Sequence, residues 1–142
     1  MDIQLNDLLC YQLFELVKLN TQQIDTRMKP LSLSRTQWKI LSRFPYLGEP
    51  CSQQSLLRSM DIDRAHLTRS LYQLERRGLI TRTRQAKDRR AFNISLTANG
   101  LTMRNWVGQV LSENDTGLLD TLTASESTEL LRLIQKISNR HP

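Results

Sequence analysis

The stretch Asp63–Thr97, DRAHLTRSLYQLERRGLITRTRQAKDRRAFNISLT, changes its apolar period part way along, and that change decides the fold. In its first half Leu67, Leu71 and Leu74 fall at i, i+4 and i+7, one stripe of a helix turning about 100° per residue. Asp63 supplies an N-cap oxygen, and Gly78 supplies the left-handed position that ends the helix. In the second half, residues 79–84 (LITRTR) and 91–97 (AFNISLT) read as strands, because Phe92, Ile94 and Leu96 alternate with Asn93, Ser95 and Thr97. Between them QAKDRR, residues 85–90, is polar and mostly cationic, so the spacing predicts a hairpin with a positively charged tip. Opposite the leucine stripe the helix carries Ala65, Arg69, Tyr72 and Arg76, flanked by His66, Thr68 and Gln73.

Upstream, a short helix over residues 52–60 turns Leu56, Leu57 and Met60 inward and is joined to the basic helix by the turn MDID. Ser34 and Gln37 form a capping box for an earlier helix bearing Trp38, Ile40, Leu41 and Phe44, which Pro45, Gly48 and Pro50 are expected to terminate. A first helix over residues 5–28 is apolar nearly all round in its first half; Pro30 is expected to stop it and to push Lys29 out of helical geometry. Downstream, Thr97 opens a long helix containing Leu101, Met103, Trp106, Val107, Val110 and Leu111. A second capping box, Thr123 with Glu126, opens a final helix lined by Leu130, Leu131, Leu133, Ile134 and Ile137.

The expected fold class is therefore mainly α with a small β-hairpin wing (α+β): a winged helix-turn-helix with N- and C-terminal dimerisation helices. Residues 31–97 form the winged helix-turn-helix, residues 1–30 and 98–142 the helical dimerisation region, and the whole is one intertwined domain. The terminal helices carry more apolar surface than a small winged-helix core covers. Leu5, Leu8, Leu9, Leu118, Leu119, Leu130, Leu131 and Ile134 are the expected dimerisation residues, burying the surplus across a twofold axis.

Charge points the same way. Of 20 Lys and Arg against 14 Asp and Glu, ten basic and four acidic residues lie between Arg58 and Arg90, so the net +6 of the chain resides in that window. A solvated face mixes its signs, whereas a concentrated positive segment attracts phosphate. A short helix, a tight turn and a second helix with a basic outer face form the arrangement that enters a major groove. Arg64, Ala65, His66, Thr68, Arg69 and Gln73 are the expected contacts on that helix. Arg69 is suited to guanine, Gln73 to adenine, and Ala65 or Thr68 to a thymine methyl. Arg82, Arg84, Lys87, Asp88, Arg89 and Arg90 make up the wing, whose arginine-bearing tip suits a narrow minor groove.

The Asp63–Thr97 stretch resembles the signature of the MarR family of bacterial regulators, nearest its SlyA-like branch, and RMKPLSLSRTQWKIL (Arg27–Leu41) resembles the same branch. The family's run of Asp, any residue, Arg, then a strand ending in Leu-Thr is matched at Asp88, Arg90, Leu96 and Thr97. The resemblance implies that Arg90 enters the minor groove, that Asp88 orients the wing, and that Ala65, His66 and Arg69 stand at base-contacting positions. It also implies a homodimer on a pseudo-palindromic site. Relatives commonly respond to small aromatic carboxylates, for which Lys18, Arg27 and Trp38 would be this chain's lining.

Other classes find less support. No GxSxG, HExxH, P-loop or CxxC is present, so the chain reads as no enzyme and as needing no cofactor. His66 and His141 are the only histidines and stand in no ligand cluster, which argues against a metal. Cys10 and Cys51 have no paired spacing and read as reduced thiols, Cys10 as a buried structural one among Leu8, Leu9 and Tyr11 rather than a peroxide sensor. The acidic N-terminal stretch is unlike a signal peptide and no run of about 18 uncharged apolar residues exists, so no membrane partner and a cytoplasmic address are expected. The alternatives are an architectural winged-helix nucleic-acid binder with little sequence preference, and a winged helix that binds only protein.

Overall fold

The structure, a computed structural model, describes residues 2–140. His141, weighed above as a metal ligand, lies outside the described residues, as do Met1 and Pro142 at the ends of the expected dimerisation region. Six α-helices and three short strands follow in the order α1 (Leu9–Met28), α2 (Arg35–Leu47), β1 (Cys51–Ser52), α3 (Gln53–Ser59), α4 (Arg64–Arg76), β2 (Ile80–Arg84), β3 (Phe92–Leu96), α5 (Ala98–Leu118) and α6 (Ala124–Asn139). This is the winged helix-turn-helix with helical extensions at both ends.

Helix boundaries follow the caps. Ser34 and Thr123 each complete a capping box, with Gln37 and Glu126 returning to the cap backbone, and Ser52, Asp63 and Thr97 cap α3, α4 and α5 through their side chains. At the end of α4, Gly78 takes φ 71°, its N–H bonds to Glu75 O and the Leu79 N–H to Leu74 O, the paired bonds of a Schellman turn. That turn throws the chain directly into β2.

The hairpin pairs β2 with β3 in the register Ile80↔Leu96, Arg82↔Ile94 and Arg84↔Phe92. A third strand, β1, adds antiparallel to the other edge of β3 through Cys51↔Ile94, giving the order β1-β3-β2. β1 was not expected from the sequence; two residues are too few to display an alternation.

One core holds the chain together. Leu67, Leu71 and Leu74 of α4 pack fully buried with Ile40, Leu41 and Phe44 of α2, Leu56 of α3, and Ile80 and Ile94 of the sheet. Ile24 and Met28 of α1 and Val107 and Val110 of α5 join the same core. Each such side chain contributes about 1.5–3 kcal/mol relative to leaving it in water. The start of α5 is pressed against the wing: a Cβ on Gly100 would stand 1.8 Å from Leu79 O, so only glycine fits. Thr97 fixes the same approach by donating from Oγ1 to Gly78 O.

Four expectations need correction. α2 runs through Pro45 to Leu47 and ends at Gly48, because a proline in the last turns forgoes one backbone bond while the Gly48 N–H still reaches Phe44 O. Lys29 keeps helical angles (φ −55°, ψ −46°); the chain tightens into a 3-10 turn over Lys29–Leu31 and is ended by Ser32 at φ 54°. The first helix starts at Leu9 rather than residue 5, with Leu5–Asp7 forming a separate 3-10 turn before an extended Leu8. Cys10 is exposed, since the N-terminal half of α1 buries none of its residues; Cys51 is the buried thiol.

Candidate nucleic-acid interface

α4 is the element around which the site is built. Its core stripe fixes which residues turn outward: Arg64, Ala65, His66, Thr68, Arg69, Tyr72, Gln73 and Arg76 are all exposed. They divide into tethered and untethered groups. On the flank facing α2, His66 Nε2 lies 3.0 Å from Thr36 Oγ1, and Gln73 Oε1 accepts from Gln37 Nε2 at 3.0 Å. On the flank facing α3, Thr68 Oγ1 donates to Arg64 O at 2.9 Å and accepts from Gln53 Nε2 at 3.1 Å. Arg64, Arg69 and Arg76 have no side-chain hydrogen bond among the described residues, and Arg76 rests 5.8 Å from the centre of the Tyr72 ring.

The wing is likewise part anchored and part loose. Arg82 is the anchored end: it bonds Glu75 of α4 at 3.2 Å, its guanidinium lies 5.2 Å from the Phe92 ring centre, and its side chain is 17% exposed. Arg84 lies over Phe92 as well, at 5.1 Å, and also donates to Arg89 O. The stacking belongs to the register, since Phe92 is paired directly opposite Arg84 and stands two residues along from the partner of Arg82. At the tip, Asp88 Oδ1 accepts the Arg90 N–H at 3.0 Å and Asp88 O accepts the Ala91 N–H at 3.0 Å, an Asx-type turn that shapes residues 87–90. Lys87, Arg89 and Arg90 are exposed there with no acidic partner among the described residues.

Between α4, the start of α3 and the wing runs a groove of about 310 Å³, lined by Ser52, Gln53 and Gln54 on one side and Arg64, Asp88, Arg90 and Phe92 on the others. Arg64 of α4 and Arg90 of the wing thus line the same groove although they are 26 positions apart in sequence. Gln53 Oε1 and Arg82 Nε are buried without a protein hydrogen-bond partner among the described residues. Such atoms cost about 1–3 kcal/mol each unless something satisfies them.

The expected effector-lining residues are not brought together. Trp38 is buried at 5% exposure and its indole donates to Asp25 Oδ1 at 2.8 Å. Arg27 is occupied by Glu113, with Asn114 and Val110 O nearby. Lys18 lies on the outer side of α1 beside a shallow hollow formed with Gln12, Glu15, Leu16, Leu19 and Gln22. Each is held where its helix places it, and no cavity found among the described residues contains two of the three.

Of the expected dimerisation residues, Leu5, Leu8, Leu9, Leu130, Leu131 and Ile134 are exposed, while Leu118 and Leu119 are half-buried at the end of α5. α6 buries none of its residues, and α1 buries only Ile24 and Met28. Among the described residues no His, Cys, Asp and Glu cluster is disposed to hold a metal, and no helix is long and apolar enough to cross a membrane.

Residues that sequence reasoning missed are those that hold the exposed side chains of α4 and the wing in place: Thr36, Gln53, Glu75 and Phe92, together with Gln37 beyond its capping role. Thr36 and Gln37 carried a signal, being polar positions on the face of α2 that also carries Ile40, Leu41 and Phe44. The pairing of Glu75 with Arg82 and the stacking on Phe92 become visible only once the strand register is known.

Residues 33–92 match the model of the MarR family. Among solved structures, the chain is similar to the apo form of wild-type MarR from E. coli, with 22% identity, a TM-score of 0.82, and 96% of this chain and 98% of that one covered. It is also similar to a mutant MarR from E. coli complexed with operator DNA, at 22% identity and TM-score 0.76, covering 91% and 92% of the two chains. The PcaV transcriptional regulator from Streptomyces coelicolor, in complex with its natural ligand, matches at 19% identity and TM-score 0.73, over 98% of this chain and 97% of that one. At these identities the structural likeness establishes the fold.

Proposed function

We propose, from the match of residues 33–92 to the MarR family model, that the chain is a MarR-type transcription regulator and not an enzyme, acting as a homodimer on double-stranded DNA. In this reading α4 enters the major groove, the wing tip enters the adjacent minor groove, and the operator is pseudo-palindromic because two copies present two α4 helices about one DNA turn apart. The observation that carries it is the shared groove: Arg64 on α4 and Arg90 on the wing face one channel, and Arg69 of α4 and Lys87 and Arg89 of the wing are exposed as well. Cations gathered there match a phosphate backbone, and the exposed side chains of α4 match base edges.

The division of labour proposed above also holds in this reading: residues 31–97 bind DNA, and residues 1–30 with 98–142 dimerise through the bare leucines of α1 and α6. Placement in the SlyA-like branch belongs to the same proposal and rests on Asp63–Thr97 and Arg27–Leu41. Similarity to a ligand-bound regulator and to one bound to operator DNA supports the reading without assigning this chain's own ligand. For a small aromatic carboxylate, Lys18 is the cation left available, Arg27 and Trp38 being engaged by protein partners. Salicylate titrated against operator binding weakens it if that part holds; unchanged affinity at millimolar ligand removes it.

Footprinting of promoter DNA tests the whole reading. A discrete protected palindrome with steep salt dependence is the expected result. Even coating of the duplex would instead favour the architectural binder, and absence of protection would favour a protein-binding winged helix.

A further inference from the structure

Gln37 is buried, 7% exposed, in the first turn of α2, and both ends of its amide are engaged. Its Oε1 accepts the Ser34 backbone N–H at 3.0 Å in the capping box. A backbone N–H can only donate, so the atom facing it must be the carbonyl oxygen, and the other end of the amide must be the amino group. That amino group lies 3.0 Å from the side chain of Gln73 on α4, whose facing atom must then be its own carbonyl oxygen. The two amides are thus set in series by one backbone donor. The end of Gln73 left over, Nε2, has no protein partner among the described residues and belongs to an exposed residue on the basic face.

We propose that Gln37 is a specificity-determining positioning residue: through Gln73 it fixes an amide whose amino end, rather than its carbonyl end, is turned outward to the DNA. The proposal rests on the reading that α4 lies in the major groove. A glutamine that pairs with adenine must turn its oxygen and its amino group to the base together. Here one of the oxygen's two lone pairs is taken on the α2 side, which leaves the amino group as the outermost end of Gln73 and favours a bond toward a base that offers acceptors over the two-point pairing with adenine expected from the sequence. Guanine, through O6 and N7, and thymine, through O4, meet that requirement best, adenine meets it only through N7 beside its amino donor, and cytosine offers an amino donor alone. Gln37 itself touches no base.

The relay also says how to reverse the reader. In Gln37→Glu one carboxylate oxygen still accepts the Ser34 N–H, and Glu is a favoured residue at that position of a capping box. The other oxygen now accepts, so Gln73 must turn its amino group inward and its carbonyl oxygen outward. The base preference at one position in each half-site then moves from guanine or thymine to adenine or cytosine, whose amino groups donate.

The experiment is selection from a random-core duplex DNA library with the full-length wild-type chain, Gln37→Glu and Gln73→Ala, with thermal unfolding of each. The wild type should prefer an acceptor-bearing base at one position per half-site by about fivefold, the worth of one hydrogen bond. Gln73→Ala should erase that preference alone, and Gln37→Glu should invert it while leaving the remaining positions and the unfolding temperature nearly unchanged. Retention of the wild-type base by Gln37→Glu overturns the proposal, as does a uniform loss of affinity in Gln73→Ala, which would put Gln73 on a phosphate. A wild-type chain with no base preference at any position overturns the proposal and the regulator reading together, and so is told apart from the first two results.

Discussion

Arg69 stands alone at the centre of the exposed face of α4, with no side-chain hydrogen bond to its own protein among the described residues, whereas His66, Thr68 and Gln73 beside it are all tied to α2 or α3. A side chain without a protein partner keeps its five donors for the ligand. Arg69→Ala should therefore relax preference at one base pair and cost about 1–3 kcal/mol on the best site, with little change on unrelated duplex. A panel of single-base operator variants reads this directly, and equal losses on all of them would put Arg69 on the backbone instead. The wing arginines separate on the same criterion. Arg89 is exposed at the tip, so Arg89→Ala should weaken all sequences alike and lower the salt slope by about one unit. Arg82 is held by Glu75 and Phe92, so Arg82→Ala should both weaken DNA binding and loosen the wing, seen as faster hydrogen exchange in β2 and β3. Equal exchange in the two variants would mean that the Glu75 pair anchors nothing.

At the scale of elements, α2 is the piece that joins the N-terminal helix to α4. Asp25 of α1 accepts from the Trp38 indole and from Arg35 at 2.9 and 2.6 Å, and the next residues of α2, Thr36 and Gln37, hold His66 and Gln73. Burial by itself raises the Asp25 pKa, but the bonds from Arg35 and Trp38 and the charges of Arg35 and Lys39 outweigh it and leave the carboxyl below its ordinary 3.8. A depressed carboxylate stabilises the fold fully above its unfolded pKa and loses that contribution as pH falls through the folded one. The gap in unfolding temperature between wild type and Asp25→Asn should thus be widest near neutral pH and close as pH drops below the ordinary carboxylate range. A gap that stays constant down to low pH would show that the ionised form contributes nothing. These elements also mark how far the sequence could be read. Leu67, Leu71 and Leu74, the caps at Ser34, Asp63, Thr97 and Thr123, and the alternation in β3 are local signals, and they placed the starts of α2, α4, α5 and α6 and the hairpin. Strand β1 is too short to carry a period, and Pro45 hid the last turn of α2 because the cost of proline depends on where in the helix it falls. Of the expected DNA-facing residues all were legible as exposed or basic, but what restrains them was not: Gln37 and Gln73 lie 36 positions apart, and only the packing of α2 on α4 brings them to 3.0 Å.

The whole molecule carries more apolar surface than one chain can cover. Phe14 (62% exposed) and Val17 (60%) on α1, Trp106 (54%) on α5 and Ile137 (53%) on α6 stand in water, and α6 buries no residue at all. A 16-residue helix that buries none of its residues is marginal by itself, capping box or not. Burying one leucine or isoleucine side chain is worth about 1.5–3 kcal/mol, so pairing α1 and α6 with those of a second copy supplies what a lone chain lacks. The wild type should sediment at twice the 16.5 kDa chain mass. The pair Leu130→Glu with Ile134→Glu should bring it to a single chain and remove the helical signal of α6, while the core around Leu67, Leu71 and Ile94, to which α6 contributes nothing, stays folded. Duplex affinity should then fall by about 10²–10⁴-fold, because the second reading helix no longer arrives tethered to the first. The decisive comparison is between sedimentation and circular dichroism on the same sample. A wild-type chain that sediments singly with α6 still helical would remove the reason for dimerisation argued from these exposed faces.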